Sequence, residues 1–135
     1  MRLLITTALM ALCLGNAALA SGDAAKGEAA FKKCKACHMI VSPSGEVLYK
    51  GGRTGPNLYG IVGRQAGTGD FRYSRAMIEV GEMGLVWNEA ELALYLPDPR
   101  AYLKARGSDG KTKMTFKLSK GAEDVAAYLA SIGAE

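Results

Sequence analysis

The sequence predicts an all-α fold in which long loops connect short helices. Apolar residues recur at the i, i+3, i+4 and i+7 spacing of an amphipathic helix near the carboxyl terminus, at Val125, Tyr128, Leu129 and Ile132. No run of alternating apolar and polar residues reaches the length of a strand. The chain has 135 residues, of which 49% are hydrophobic and 22% charged. This length and composition predict a single folded domain and not a mostly disordered chain.

The first twenty residues have the organisation of a secretory signal peptide. A basic residue at position 2 precedes an uncharged apolar run over Leu3–Leu14, and the small-x-small pattern of Ala18–Ala20 follows. A membrane anchor would need about 20 apolar residues, and a leucine stands where a small residue should precede Cys13 for lipid attachment. We therefore expect cleavage after Ala20, export, and a mature domain of residues 21–135 without membrane insertion.

The first predicted helix runs from Ser21 to Cys34. Asp23 favours its amino terminus, and Gly27, Phe31 and Cys34 recur along one face, so this helix brings Cys34 to the interior. Turn residues then dominate Ser42–Gly69. So long an irregular stretch indicates loops around a functional site.

Three helices and one more loop are predicted beyond this stretch. A short helix spans Tyr73–Met83, and a second begins after Asn88 and ends at Pro97. Asp98 and Pro99 are typical of an N-cap and a first helical residue, so a third begins there. A loop over Gly107–Lys120 leads to the closing helix Ala122–Ile132.

The segment Cys34-Lys35-Ala36-Cys37-His38 has the pattern of c-type haem attachment. In that chemistry the two thiols add to the haem vinyl groups, and the adjacent imidazole ligates the iron. A thioredoxin-like dithiol would require a βαβ pattern that is missing here. A structural zinc site needs four ligands, of which this region offers three, and an inert cysteine pair is the remaining alternative.

The sixth iron ligand is predicted to be Met114. His38 is the only histidine, so two histidines of one molecule cannot ligate the iron. Met39 adjoins His38, and Met77 and Met83 lie in a helical pattern where packing explains them. No apolar face explains burial of Met114, and ligation by histidine and methionine is typical of haems with a raised reduction potential.

The chain resembles the class I c-type cytochromes, particularly the bacterial soluble cytochrome c2 group, over essentially the whole mature sequence. The resemblance rests on the following features: the helix of Gly27 and Phe31 before the haem motif, Thr54–Leu58, Gly63-Arg64, Phe71–Trp87, Tyr95 before Asp98-Pro99, Thr112–Phe116 and the helix of Tyr128. It implies the cytochrome c fold, with about four to five helices and long loops around one haem c bound covalently through Cys34 and Cys37.

The resemblance also implies roles for residues around the haem. The Pro56 carbonyl would accept a hydrogen bond from His38 Nδ1. Arg64, Tyr73 and Trp87 would bind or offset the haem propionates, the alternatives being a surface cation and two packed aromatic side chains. Tyr95 and Thr112 would form hydrogen bonds near the Met114 sulfur.

Charge is unevenly distributed along the chain. Residues 31–64 carry six basic side chains and one acidic, residues 99–120 carry seven and one, and residues 76–98 carry five acidic and none basic. The basic blocks flank His38 and Met114, so in this family's fold they would surround the exposed haem edge and attract acidic docking surfaces, unless they are simply solvated surface charges. Nucleic acid is a poor partner for an exported protein of such small net charge.

We therefore expect a periplasmic one-electron carrier that is not an enzyme and is a monomer. The family implies a membrane cytochrome bc complex as electron donor. It implies a photosynthetic reaction centre, an oxidase or a denitrification reductase as acceptor. The alternative is a small haem peroxidase or gas-binding protein, which would apply if the sixth iron position opened.

Overall fold

Five helices and one small sheet make up the part of the chain that the computed structural model describes, residues 22–133. In chain order these are α1 (Ala24–Phe31), β1 (Ile40–Val41), β2 (Val47–Tyr49), α2 (Arg75–Glu82), α3 (Glu89–Tyr95), α4 (Pro99–Ala105) and α5 (Ala122–Ala130). The predicted all-α class is confirmed. The signal peptide predicted for residues 1–20 and Ser21, where the first helix was expected to begin, lie outside the described residues.

Side-chain caps define where four of the helices begin. Asp23, Ser74, Asn88 and Asp98 each accept a hydrogen bond from the backbone N–H three residues later, at the starts of α1, α2, α3 and α4. The capping roles predicted for Asp23, Asn88 and Asp98 therefore agree with the structure, whereas the first helix was expected to begin at Ser21 and α1 begins at Ala24.

The first helix is shorter than its sequence pattern predicts. It ends at Phe31, and tighter turns follow, in which each N–H donates to the carbonyl three residues earlier. The Cys34 N–H donates to the Phe31 carbonyl at 2.7 Å, and the Cys37 N–H donates to the Cys34 carbonyl at 3.1 Å. These turns still bury Cys34, as expected, while Cys37 faces solvent.

The sheet was not anticipated from the sequence. The antiparallel strands β1 and β2 pair Ile40 with Tyr49 and Val41 with Val47. They contain only two and three residues, and Val47 and Leu48 are largely exposed, so the pair leaves no alternating hydrophobic pattern to detect.

The most extensive contact between helices is that of the first helix, α1, with the last, α5. α1 lies against α5, and a Cβ on Gly27 would sit only 1.9 Å from the Asp124 carbonyl oxygen, so the absent side chain lets the two backbones approach. Nearby, the ring of Phe31 contacts those of Tyr49 and Tyr128, at centroid distances of 4.8 and 5.6 Å. This contact fixes the end of α1 from which the haem motif departs.

Across residues 22–133, none of the helices has the length and apolar character needed to cross a membrane.

Candidate haem site

A cavity of about 310 Å³ brings together the haem motif and Met114. Cys34, Cys37 and His38 line it from the turns after α1, and Met114 lines it from the loop before α5. Most of the remaining lining is apolar and comes from distant parts of the chain, including Phe31, Ile61, Met77, Trp87, Leu92, Leu96, Val125 and Leu129. Such a cavity suits a large planar apolar group with a few polar contacts.

His38 is held with one ring nitrogen occupied. Its Nδ1 lies 2.8 Å from the Pro56 carbonyl oxygen, an acceptor, so the proton resides on Nδ1 and Nε2 keeps its lone pair. Burial lowers the pKa of His38, which favours the neutral ring, and the hydrogen bond to Pro56 partly opposes that effect. A neutral imidazole with a free Nε2 is the form that ligates iron.

Gly55 packs against the face of this imidazole. A Cβ at position 55 would lie 2.6 Å from His38 Cε1 and 2.8 Å from Nδ1, inside van der Waals contact. Gly51 and Gly52 approach the haem motif as closely, because Cβ atoms there would lie 1.8 Å from the His38 carbonyl oxygen and 2.2 Å from that of Ala36. Sequence reasoning took these glycines only as turn residues, and they shape the site through close backbone approach.

Cys34 does not have the character of a reactive thiol. Burial, and to a lesser degree the neighbouring Cys37, raise the pKa of the Cys34 thiol to about 11, whereas redox-active cysteines have lowered values. Among residues 22–133, no group of three or more His, Cys, Asp or Glu side chains is arranged so that it could hold a metal ion.

A hydrogen bond connects the Met114 backbone to the cavity wall. The Met114 N–H donates to Thr112 Oγ1 at 3.0 Å, and the Thr112 side chain lies near enough to Tyr95 to lower the pKa of that hydroxyl in part. Burial raises the pKa of Tyr95 to about 12, so this hydroxyl keeps its proton at neutral pH. Thr112 thus lies beside both Met114 and Tyr95, while hydrogen bonds from Tyr95 and Thr112 near the Met114 sulfur stay a prediction.

The three residues expected near the propionates occupy two different positions. Tyr73 and Trp87 line the cavity. Arg64 stands behind Tyr73, and its guanidinium donates to the backbone carbonyls of Tyr59 at 2.8 Å and Asn57 at 3.3 Å. Burial raises the pKa of Tyr73 and the Arg64 charge partly offsets this, so Arg64 acts on the cavity through Tyr73 and its field.

Asn57 is a structural residue to which the sequence assigned no role. Its side-chain oxygen accepts from the Val41 and Tyr59 backbone N–H groups, both at 3.1 Å, and its side-chain nitrogen donates to the Val41 carbonyl at 2.8 Å. The only sequence signal was its place directly after Gly55-Pro56.

The donor set and the cavity fit a haem c. Two cysteines and a histidine at the attachment spacing, with a thioether elsewhere on the lining, match the chemistry of a covalently attached, histidine/methionine-ligated haem. The Gly55 contact and the Pro56 hydrogen bond fix the imidazole that this group requires.

Comparison with known proteins gives a consistent result. A cytochrome c-551 of Roseobacter denitrificans is 57% identical over 115 residues, covering 84% of this chain and 83% of that protein. The cytochrome c2 of Rhodobacter capsulatus is 50% identical over 135 residues, with 98% of both chains covered. Its solved structure matches with a TM-score of 0.79, over 82% of this chain and 97% of that one. No protein-family model matches the chain.

Fold and site together define a class I c-type cytochrome, and the resemblance found in the sequence is confirmed. At these identities and coverages, the chain belongs to the cytochrome c2 group of that class.

Proposed function

We propose that the chain binds one haem c through thioether bonds to Cys34 and Cys37, with His38 and Met114 as its iron ligands, and carries single electrons. The observation that supports this most directly is that all four side chains line the same largely apolar cavity. When bound, the haem supplies an iron that alternates between the ferric and ferrous states.

The protein's residues hold the ligands and shield the site. Pro56 orients His38, Thr112 fixes the backbone at Met114, and the apolar lining limits access of water. Methionine ligation in an apolar pocket stabilises the ferrous state, because sulfur is a soft ligand and burial disfavours the extra positive charge of ferric iron. Tyr73, Trp87 and Arg64 would compensate the propionate charge.

The proposed role is that of an electron carrier and not an enzyme, since His38 and Met114 would together leave the iron no open position and no substrate bond would change. We further propose export to the periplasm after cleavage at Ala20, a monomeric state, and exchange of electrons with membrane complexes that present acidic surfaces. The cytochrome bc complex is the expected donor, and a reaction centre, an oxidase or a denitrification reductase is the expected acceptor.

Replacing the proposed sixth ligand tests this assignment. We expect Met114→Ala to lower the reduction potential markedly and to let carbon monoxide bind the ferrous haem, because the iron loses a ligand that favours its reduced state. Met83→Ala is the matched control, since Met83 is 64% exposed and lies outside the cavity. Redox titration and visible spectra, with and without carbon monoxide, measure both effects.

The same spectra separate the alternatives. A parent protein with a c-type pyridine haemochrome and no response to carbon monoxide supports the electron carrier. A parent that binds carbon monoxide readily favours the peroxidase or gas-binding alternative. A Met114→Ala protein with an unchanged spectrum and potential would show that another residue ligates the iron.

A further inference from the structure

Three aromatic side chains pack as a closed triangle at one wall of the haem cavity. The ring centroids of Trp87 and Tyr95 lie 5.0 Å apart, those of Trp87 and Tyr102 lie 5.9 Å apart, and those of Tyr95 and Tyr102 lie 5.5 Å apart. Trp87 and Tyr95 line the cavity, whereas Tyr102 does not. Tyr102, on α4, therefore supports two cavity-lining side chains from behind.

A charged pair outside the cavity holds the far end of Tyr102, and the three side chains together are called the Glu91 cluster. The Tyr102 hydroxyl and the Arg106 guanidinium both donate hydrogen bonds to Glu91 Oε2. The guanidinium also lies over the Tyr102 ring, 4.8 Å from its centre. Glu91 and Arg106 line a different cavity, and neither lines the haem cavity. Any effect of this pair on the haem site must therefore pass through Tyr102.

The protonation state of each member suits these hydrogen bonds at neutral pH. Hydrogen bonds from Arg106 and then from Tyr102 lower the pKa of the Glu91 carboxyl, so it remains an acceptor. Burial, followed by the hydrogen bond to Glu91, raises the pKa of Tyr102, so its hydroxyl remains a donor. One carboxylate oxygen is thus the common acceptor on which the cluster depends.

We propose that Glu91 and Arg106 are positioning residues that hold Tyr102 and, through its ring, one wall of the haem cavity. The inference rests on the proposed haem binding, because it assigns a support to Trp87 and Tyr95, two side chains that would contact the haem. A hydrogen bond at the far end of the Tyr102 ring fixes its direction, and a cation over its face fixes its tilt. The two rings packed on it are then fixed as well.

The indole N–H of Trp87 tests the support, because Trp87 is the only tryptophan of the chain and gives a single indole resonance. In the ferrous holoprotein we expect Glu91→Ala to shift this NMR signal. Its hydrogen exchange should accelerate about two- to tenfold, the effect of losing one hydrogen bond behind the wall. The reduction potential should also fall, because a looser wall admits water and water favours the extra charge of ferric iron.

Glu89→Ala is the matched control. Glu89 lies in the same first turn of α3 and carries the same charge, so its loss affects the helix dipole alike. Among the described residues, however, it takes part in no ion pair. It should leave the indole signal and the potential at the parent values.

Two further variants separate positioning from a general loss of stability. Tyr102→Phe removes only the hydroxyl and should change the indole signal like Glu91→Ala, and the double variant should add little, because both changes remove the same hydrogen bond. Glu91→Gln keeps an acceptor oxygen and should restore part of the parent behaviour.

A Glu91→Ala protein that unfolds more easily but keeps the parent indole signal and potential would overturn the inference, since Glu91 would then support only the packing of α3 on α4. Equal signals for Glu91→Ala and Glu89→Ala would do the same. Visible spectra separate this failure from that of the proposed function. A parent without a c-type pyridine haemochrome would reject haem binding itself, whereas a parent with one, and an unmoved indole signal in Glu91→Ala, would reject only the support by the Glu91 cluster.

Discussion

Asn57 links the two chain segments that set the orientation of His38. Pro56, whose carbonyl accepts from the imidazole, directly precedes it, and Val41, with which it exchanges two hydrogen bonds, lies three residues after His38. The amide can serve both partners because one end accepts and the other donates. Asparagine combines two acceptor lone pairs with a donor on one short planar group, and this matches the two N–H groups and one carbonyl that it meets here.

We therefore expect Asn57→Asp to destabilise the protein by about 1–3 kcal/mol, the cost of leaving a partly buried polar group unpaired. The carboxylate can still accept from the Val41 and Tyr59 N–H groups, but it faces the Val41 carbonyl with an acceptor where the amide donated. Denaturant unfolding of the holoprotein measures the loss. Asn57→Ala should lower the free energy of unfolding by at least as much. A variant as stable as the parent would show that the Asn57 hydrogen bonds contribute little to stability.

At the residue scale, the haem-binding residues could be proposed from the sequence, but the contacts that support them could not. The cysteines, His38 and Met114 could be proposed because attachment fixes the spacing of the first three and the fourth had no packing explanation. The functions of Asn57 and Gly55 depend on the groups that the fold brings close to them, which are the Val41 and Tyr59 backbone for Asn57 and the His38 ring for Gly55. A sequence pattern does not contain that information.

Among the secondary-structure elements, α4 is joined at its start to the loop that carries Met114, through the side chain of Asp98. Asp98 Oδ1 accepts from the Ala101 N–H at 3.0 Å, and its other carboxylate oxygen lies 2.6 Å from Lys117 Nζ, on the Met114 loop. Lys117, followed by the helix-start N–H groups, lowers the pKa of the Asp98 carboxyl. One side chain thus joins the helix start to the loop.

A lowered pKa makes this carboxylate a source of pH-dependent stability. Its contribution is present above the ordinary aspartate pKa of about 3.9 and is lost as pH falls through the lower value of the folded state. Asp98→Asn keeps a capping oxygen and removes the charge. We expect the parent to be more stable than Asp98→Asn at neutral pH and the difference to vanish in acid.

Unfolding by denaturant across this pH range measures that difference. Asp98→Asn is also introduced into a Lys117→Met protein as a control. There it should change the free energy of unfolding less, because Lys117, the main partner of Asp98, has been removed. High salt should also reduce the difference, since both side chains are exposed. A pH-independent gap between the parent and Asp98→Asn would assign the effect to cap geometry and not to charge.

The same elements show the limits of sequence prediction. Helix starts followed from local capping chemistry at Asp23, Asn88 and Asp98, so they were predictable from a few residues. The end of α1 and the strands β1 and β2 were not, because their hydrogen bonds form around the haem motif and between segments of only two and three residues. The Gly27 crossing between α1 and α5 likewise depends on residues about a hundred positions apart.

Across the whole molecule, ion pairs offset charge in some blocks and not in others. Within the described residues, three of the five acids in the acidic block 76–98 are paired, Glu79 with Arg75, Glu91 with Arg106 and Asp98 with Lys117. Among these described residues, none of the six basic residues of block 31–64 takes part in an ion pair. Positive charge without an ion-pair partner therefore lies near the haem motif, where Lys33 reaches the cavity lining.

This distribution leads to an expectation about electron-transfer rates. An anionic redox complex, standing in for an acidic partner surface, should react faster at low salt and slow down as salt rises, because the positive field near the cavity attracts it. A cationic complex of similar size should show the opposite trend. Lys33→Glu should weaken both trends by reversing one charge at the cavity.

Lys26→Glu provides the matched comparison for that substitution. It makes the same change in net charge on an exposed side of α1 outside the basic blocks, so it should alter the salt dependence less than Lys33→Glu. Stopped-flow reduction and oxidation of the holoproteins at several salt concentrations give the slopes. Equal slopes for the two variants would mean that net charge alone governs encounter, and flat profiles for the parent would reject steering by the basic blocks.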